Sequence, residues 1–587
     1  LLRQGAPQLG GKPIAKRVII VCPTSLVNNW AKELDKWLNG KVNCLPLSEA
    51  KREDVIMSIK QFLSPRNYYQ VLIISYETFR MHHARFSKES SCDLLICDEA
   101  HRLKNEATGT NQALSSLPCR RRVLLSGTPM QNNLDEFYAM VNFTNPGILG
   151  DPKAFKKKFE RPILRGREPD AEDSVIKKGA ERSQELSNLV NDFILRRTND
   201  LLSKHLPPKL IEIVCCQMTE LQKKVYFHFL ESKTAQKLLN NSKKAKVLPA
   251  IGALKKLCNH PKLIYDALNS YEGNQADGFE NCDQHFPPGL FDDGRKGRGG
   301  MAPGWEYLSG KFAALADLLD NLRKHTDDRI VLISNYTQTL ELFAQLLRER
   351  GYPYVRLDGN TSNNKRMKLV EKFNDPTAKQ FAFLLSSKAG GCGLNLIGAN
   401  RLVLFDPDWN PANDKQAAGR VWRDGQKKRC FVYRFLTTGT IEEKVFQRQM
   451  SKEGLQALVD GGTGQAKANT MTLDALRDLF TYRADTTSDT HDTCGCKRCG
   501  KDLRNAAGAP VWNQVGNKIA EQDLHLWGHH HTSANLDDEQ MANAWGNNPR
   551  GVENVSFIFS CRVDESSQEA EEEPAAVCVE AGEEEEE

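Results

Sequence analysis

At 587 residues the chain is too long for one hydrophobic core, so two or more domains are expected. With 40% hydrophobic residues it can build ordinary globular cores. No apolar run approaches the roughly 18 residues of a membrane span, and Leu1 opens no secretory pattern. A soluble intracellular protein with no membrane partner is expected. Because Leu1 is not methionine, the sequence reads as a piece of a longer protein. The net charge of +5 hides an asymmetry, since ten acidic and no basic residues lie between Glu569 and Glu587. A basic body with an acidic tail suggests a polyanionic partner, most simply nucleic acid. The sixteen cysteines fall mostly in apolar segments, as reduced buried thiols do, and only Cys494, Cys496 and Cys499 cluster.

In chain order, residues 17 to 23 read as a first strand, with Thr24 and Ser25 capping the helix through Trp30 and Trp37. A capped helix start can accept a phosphate. Strands follow at 71 to 75, at 93 to 97 and at 122 to 125, with helix-length segments between them, which implies a parallel doubly wound sheet. The third strand ends in Asp98, Glu99 and His101. Adjacent carboxylates at the carboxyl edge of such a strand suit nucleotide hydrolysis, one holding magnesium and the other activating water. Ser126 to Pro129 supplies hydroxyls and a glycine beside them.

Residues 151 to 305 read as helical and lysine-rich, with a flexible insertion from Asn269 to Gly304. In Leu257-Cys258-Asn259-His260-Pro261, His260 reads as a structural cap rather than a metal ligand. A second α/β series follows, with strands at 330–334, 354–357, 381–385 and 402–405. Its Gly-rich turn, Ser386 to Asn395, would let backbone approach a phosphate. If Gln416 to Gln426 is helical, Gln416, Arg420 and Arg423 share one face, and the arginines could neutralise charge on a transferring phosphate. Cys496 and Cys499 have the spacing of a zinc half-site, with Cys494 nearby and the second half from His529, His530 or His531.

Asp-Glu-Ala-His at 98–101, Ser-Gly-Thr-Pro at 126–129, the Gly-rich segment and the Gln/Arg/Arg/Gln segment resemble motifs II, III, V and VI of superfamily-two helicase motors. Lys104-Asn105, Gln131-Asn132, the 257–261 segment and Asp406-Pro407-Asp408-Trp409-Asn410-Pro411 resemble the Swi/Snf branch. The helical insertion at 153–168, the segment 386–428 and the cysteine-bearing C-terminus are most similar to its Rad-fifty-four type.

The resemblance implies an α/β fold of two RecA-like lobes with parallel sheets. These would be an ATP-binding lobe at 1–150, helical insertions and linker at 151–305, and a C-terminal helicase lobe at 306–480. Cysteine spacing and composition add a small zinc-binding region at 485–562 and an acidic disordered tail at 563–587. The resemblance also implies a nuclear, DNA-dependent ATPase that translocates on double-stranded DNA, acting in recombination and double-strand-break repair beside a RecA-like recombinase. ATP and magnesium would be its cofactors. Carried over by residue, Asp98 would hold magnesium, Glu99 would activate water with His101 beside it, and Arg420 and Arg423 would be finger arginines. Gln416, Gly127, Thr128, Gly391 and Gly393 would contact nucleotide, while Thr24, Ser25, Lys104, Asn105, Ser387 and Lys388 would contact DNA. Zinc would lie at Cys496, Cys499, His529 and His530.

One departure stands out. No Gly-x-x-x-x-Gly-Lys-Ser/Thr phosphate loop occurs in the chain, and the nearest run, Gly495 to Lys501, is followed by Asp502. The loop is expected upstream of Leu1, and the polypeptide as given is expected to hydrolyse ATP poorly. The competing readings are a chromatin-remodelling motor of the same family, a non-catalytic DNA-bound scaffold for the recombinase, and an RNA helicase.

Overall fold

The computed structural model describes residues 13–48, 51–127, 134–166, 172–195, 206–240, 247–269, 277–291, 302–387, 389, 393–459, 473–494, 496, 499, 524, 527–531, 536–546 and 553–563. Two sheets, the first all parallel and the second mainly so, organise them. The first contains β1 (Val18–Cys22), β2 (Cys44–Pro46), β3 (Val71–Ser75), β4 (Leu94–Cys97) and β5 (Arg122–Leu124), in the order β2-β3-β1-β4-β5. β1 and β3 are buried along their whole lengths, which is why they read as unbroken apolar runs rather than alternating ones. Their parallel register sets Val21 beside Cys97, so the strand carboxyl ends meet at one edge.

The second sheet draws on more of the chain than expected. It contains β6 (Lys209–Cys216), β7 (Ile330–Ser334), β8 (Tyr354–Leu357), β9 (Ala382–Ser386), β10 (Arg401–Leu404), β11 (Cys430–Thr437), β12 (Gly528–His530) and β13 (Val555–Val563). Their order is β12-β13-β6-β11-β10-β7-β9-β8. β6 comes from the stretch expected to be helical insertion, and it pairs in parallel with β11 over eight residues. β13 and β12, from the expected small C-terminal region, extend the same sheet, β13 pairing antiparallel to β6 and β12 antiparallel to β13. Eight paired residues, all with buried partners on β11, hold β6 in the sheet.

The stretch expected to be a flexible insertion is partly packed. Phe279, Cys282, Phe286 and Phe291 are buried in the large core that also holds Phe229 and Trp305. Four apolar side chains among polar residues suffice to anchor a loop, and composition averaged over the stretch conceals them. The acidic tail lies outside the described residues except for Val563. Among the described residues no helix is long and apolar enough to cross a membrane.

Candidate functional site

β4 ends at Cys97, and the next backbone N–H, that of Asp98, still donates to Val21 at 2.8 Å. This fixes Asp98 at the carboxyl edge of the sheet. Its Oδ2 accepts the Trp30 indole N–H at 2.8 Å and its Oδ1 accepts the Glu99 N–H at 2.9 Å. Its carbonyl accepts the Tyr76 hydroxyl at 2.7 Å. Each carboxylate oxygen keeps a further lone pair after these bonds. Burial raises the Asp98 carboxyl above the usual range, against the Trp30 hydrogen bond, which lowers it.

Glu99 has φ 50° and ψ 49°, a left-handed conformation that costs a non-glycine residue of order 1–3 kcal/mol and clusters at functional sites. The turn it makes starts a short 3-10 helix, Ala100–Leu103, which sets His101 Nδ1 3.3 Å from Glu99 Oε2. Three expected site residues therefore share one strand end.

The other expected residues of this lobe hold various positions. Thr24 and Ser25 do not cap a helix. They belong to a 3-10 turn after Pro23 that has no side-chain cap, and Val27–Leu38 continues from it. The Thr24 hydroxyl instead donates to Glu77 at 3.4 Å, and Arg102 also binds Glu77, at 2.9 Å. Lys104 pairs with Glu136 at 3.1 Å, and the Asn105 side chain accepts the Ala107 N–H. Gly127 is exposed, whereas Thr128 lies outside the described residues.

In the second lobe one expectation fails. The helix Pro411–Ala418 stops before both arginines, so Gln416, Arg420 and Arg423 do not form one helical face. Gly419 follows the last helical residue, and Gly425, at φ 94°, turns the chain again. Gln416 stays in the final helical turn. Arg423 Nη1 donates to the Leu394 carbonyl at 3.1 Å, and the Arg420 carbonyl accepts the Leu396 N–H at 3.0 Å. Both arginines thus sit against the Gly-rich turn. In that turn Gly393 has φ 67°, and a Cβ there would lie 2.1 Å from Leu26 of the first lobe. A side chain there would be strained by the positive φ and would have to displace the end of Leu26, and the contact joins the arginine-bearing turn to the segment that leads into Trp30. Ser387 donates its N–H to the Ser334 carbonyl at 3.0 Å, while Lys388 and Gly391 lie outside the described residues.

A cleft of about 470 Å³ opens at the carboxyl ends of β7 and β9, lined by Lys256, Asn335, Tyr336, Gly359, Arg366 and Ser386. Its floor is fixed by Asp406, whose carboxylate accepts from Asn335 N–H at 2.9 Å, Asn335 Nδ2 at 2.7 Å, Asn259 Nδ2 at 3.0 Å and the Ser334 hydroxyl. The signal was present in the Leu-Cys-Asn-His-Pro and Asp-Pro-Asp-Trp-Asn-Pro segments, but their meeting is tertiary. His260 is structural, with Nε2 on the Trp305 carbonyl and Nδ1 accepting the Lys262 N–H.

At the C-terminal end, Cys496 and Cys499 Sγ are 3.6 Å apart and lie 3.4 and 3.3 Å from His529 Nδ1. His491 completes a four-residue group whose ligand atoms lie within 4.8 Å of one another. His529 Nε2 is bound to the Leu524 carbonyl at 2.7 Å, which leaves Nδ1 for a metal. His530 is not in the group. Neighbouring strand residues face opposite sides, and its Nε2 meets Ser560 on β13.

Residues 7–263 match the SNF2-related domain, and residues 310–425 match the helicase conserved C-terminal domain. The chain is 55% identical to "Protein CHROMATIN REMODELING 25" of Arabidopsis thaliana, over 96% of this chain and 65% of that protein. It is 53% identical to "DNA repair and recombination protein RAD54" of Oryza sativa subsp. japonica, over 96% and 60%. It is 45% identical to "DNA repair and recombination protein RAD54-like" of Mus musculus, over 96% and 73%. The chain thus spans 60–65% of the length of the two plant relatives. A solved structure titled "Sulfolobus solfataricus SWI2/SNF2 ATPase core in complex with dsDNA" aligns over 80% of this chain and 87% of its own, at 23% identity and a TM-score of 0.35. With its paired parallel sheets, its carboxylate edge and these relatives, the chain belongs to the SNF2-related family, in its RAD54-like group.

Proposed function

We propose that this chain acts as an ATP-driven motor on double-stranded DNA, in the nucleus, in homologous recombination and double-strand-break repair beside a RecA-like recombinase. The observation that carries the reading is the carboxylate edge. A strained Glu99 adjoins an Asp98 fixed by Trp30, in a chain 45–55% identical to relatives that include proteins named for DNA repair and recombination.

Asp98 suits magnesium, a hard ion that takes carboxylate oxygens, because both its oxygens keep a lone pair. Magnesium-bound ATP supplies the phosphoryl chemistry when present. The chain's own part is positioning: Asp98 fixes the metal side, and Glu99, with His101 against it, orients water and takes its proton. Gln416, Gly127, Thr128, Gly391 and Gly393 bind nucleotide, and Arg420 and Arg423 offset phosphate charge from the other lobe. Thr24, Ser25, Lys104, Asn105, Ser387 and Lys388, with Lys256 in the second-lobe cleft, contact DNA phosphates without reading sequence, as a motor on any duplex requires.

The C-terminal cluster supports a structural zinc site of Cys496, Cys499, His529 and His491. The thiol spacing is close to the about 3.8 Å edge of a zinc tetrahedron with 2.3 Å bonds. Loss of zinc from the Cys499→Ser chain is the expected result.

Since these 587 residues contain no phosphate-loop run, ATP turnover by this chain alone is expected to be slow. The deciding experiment is ATPase rate with and without duplex DNA, on this chain and on a form extended N-terminally with a relative's phosphate-loop segment. DNA should stimulate the extended form, and Glu99→Gln should lower its rate about 10²–10⁴-fold while DNA binding persists. DNA binding with no ATPase from the extended form would favour a scaffold instead. The Arabidopsis relative's printed name favours a second reading, a chromatin-remodelling motor, and stimulation by nucleosomes well above that by bare DNA would select it.

A further inference from the structure

A second group of metal-type ligands lies far along the chain from the C-terminal cluster, between the helix Glu220–Glu231 and the loop 277–291. His228 Nδ1 is 3.1 Å from His285 Nε2, and Cys282 offers its sulfur to the same point, all three ligand atoms lying within 4.8 Å of one another. Cys282 and His285 are the ends of one 3-10 turn, Cys282–His285. Residues three apart eclipse in such a turn, so both side chains leave it in one direction. The turn is aimed by Asn281, which holds φ 60°, and by Gly278, where a Cβ would lie 2.7 Å from the Phe229 ring. Phe279 packs against Phe229 with centroids 5.0 Å apart and the rings tilted by 32°, pressing the loop onto the helix one residue from His228.

The histidine tautomers are set. His228 Nε2 lies 2.8 Å from the Glu280 carbonyl, which can only accept, so Nε2 carries the proton and Nδ1 presents a lone pair. This is the arrangement that metal-ligating histidines use, with the distal N–H on a backbone carbonyl. The 3.1 Å nitrogen separation is near the about 3.3 Å edge of a tetrahedron with zinc–nitrogen bonds of 2.0–2.1 Å. Two imidazoles and a thiolate are a borderline-soft set that suits zinc over calcium or magnesium.

We propose that His228, Cys282 and His285 bind a second zinc ion, with solvent in the fourth position, and that it clips the 277–291 loop to the helix Glu220–Glu231. On binding, the proton on His285 Nε2 moves to Nδ1, the Cys282 thiol gives its proton to solvent, and three metal–ligand bonds replace one ring-to-ring hydrogen bond. The site stands independently of the motor reading.

The test is zinc content of the whole chain after equilibration with zinc and removal of excess, compared with His285→Gln and His228→Gln. Both positions are half-buried, so these variants should keep the fold, which circular dichroism verifies. Each should lose one zinc per chain, and the Cys499→Ser variant should lose a different one, so that Cys499→Ser with His285→Gln loses both. Cobalt in place of zinc should give thiolate charge-transfer absorption in the Cys499→Ser background that Cys282→Ser removes. Hydrogen exchange in 277–291 should slow on zinc addition in the wild type and not in His285→Gln. Unchanged zinc content in both histidine variants would overturn the proposal.

Discussion

The first sheet ends on β5, where Val123 is 42% exposed and the following Leu125 38%, whereas β11, well inside the second sheet, is buried along all eight residues. The polar groups follow the same division. In the first lobe Asp98 and Glu99 stand half-buried at the sheet edge with lone pairs to spare. In the second, Lys311, at 1% exposure, gives its ammonium to Asn259 at 2.7 Å, to the Phe405 carbonyl at 2.8 Å and to Glu442 at 2.8 and 2.9 Å. One lobe leaves charge available to a ligand. The Lys311 ammonium of the other is consumed internally, locking the Asn259 and Asp406 network that holds the cleft floor.

This contrast can be broken most sharply at Lys311. Lys311→Met strands the Glu442 carboxylate in the core, and a buried pair broken on one side costs about 3–5 kcal/mol. Denaturant unfolding should show that loss, and a loss under about 1 kcal/mol, within the range of an exposed ion pair, would mean the network is not structural.

Asp414 offers a pH-resolved version. It is buried, accepts the Gln449 amide at 2.8 Å, and burial pushes its carboxyl up to about 6. A folded-state value above the unfolded one, about 3.9, means that its contribution is complete below about pH 4 and is lost as pH rises through about 6. Asp414→Asn does not titrate, so its stability relative to wild type should rise between pH 4 and pH 7 by up to about 3 kcal/mol. A pH-independent difference would refute the buried carboxyl.

The smallest effect belongs to the first lobe. Trp30→Phe removes one hydrogen bond to Asp98 and should cost about 1.5 kcal/mol. It should also raise the Asp98 carboxyl further and, on the motor reading, raise the magnesium concentration needed for half-maximal ATPase. An unchanged magnesium dependence would separate Trp30 from the metal side of the site.

Much of this was legible because the informative features are local. β1, β3 and β7 are short apolar runs bounded by turn signals, and parallel strands buried on both faces produce that pattern. The strand ending in Asp98 and Glu99 could be placed for the same reason. The arginine helix was misread because periodicity at 416, 420 and 423 outweighed Gly419, which ends it before either arginine. His530 was misassigned because a histidine run shows no strand alternation until β12 is paired.

The sequence alone determined that the chain alternates strands and helices twice, that carboxylates end one strand, and that cysteines cluster near the end, since each depends on neighbours a few residues apart. Only the tertiary structure decided that β6 and β13 join one sheet across more than three hundred residues. It also decided that Gly393 abuts Leu26, that His491 replaces His530 beside the thiols, and that His228 meets Cys282 and His285. Those meetings depend on long-range packing and pairing, whose closure entropy is offset only when the whole core forms, so no local window contains them.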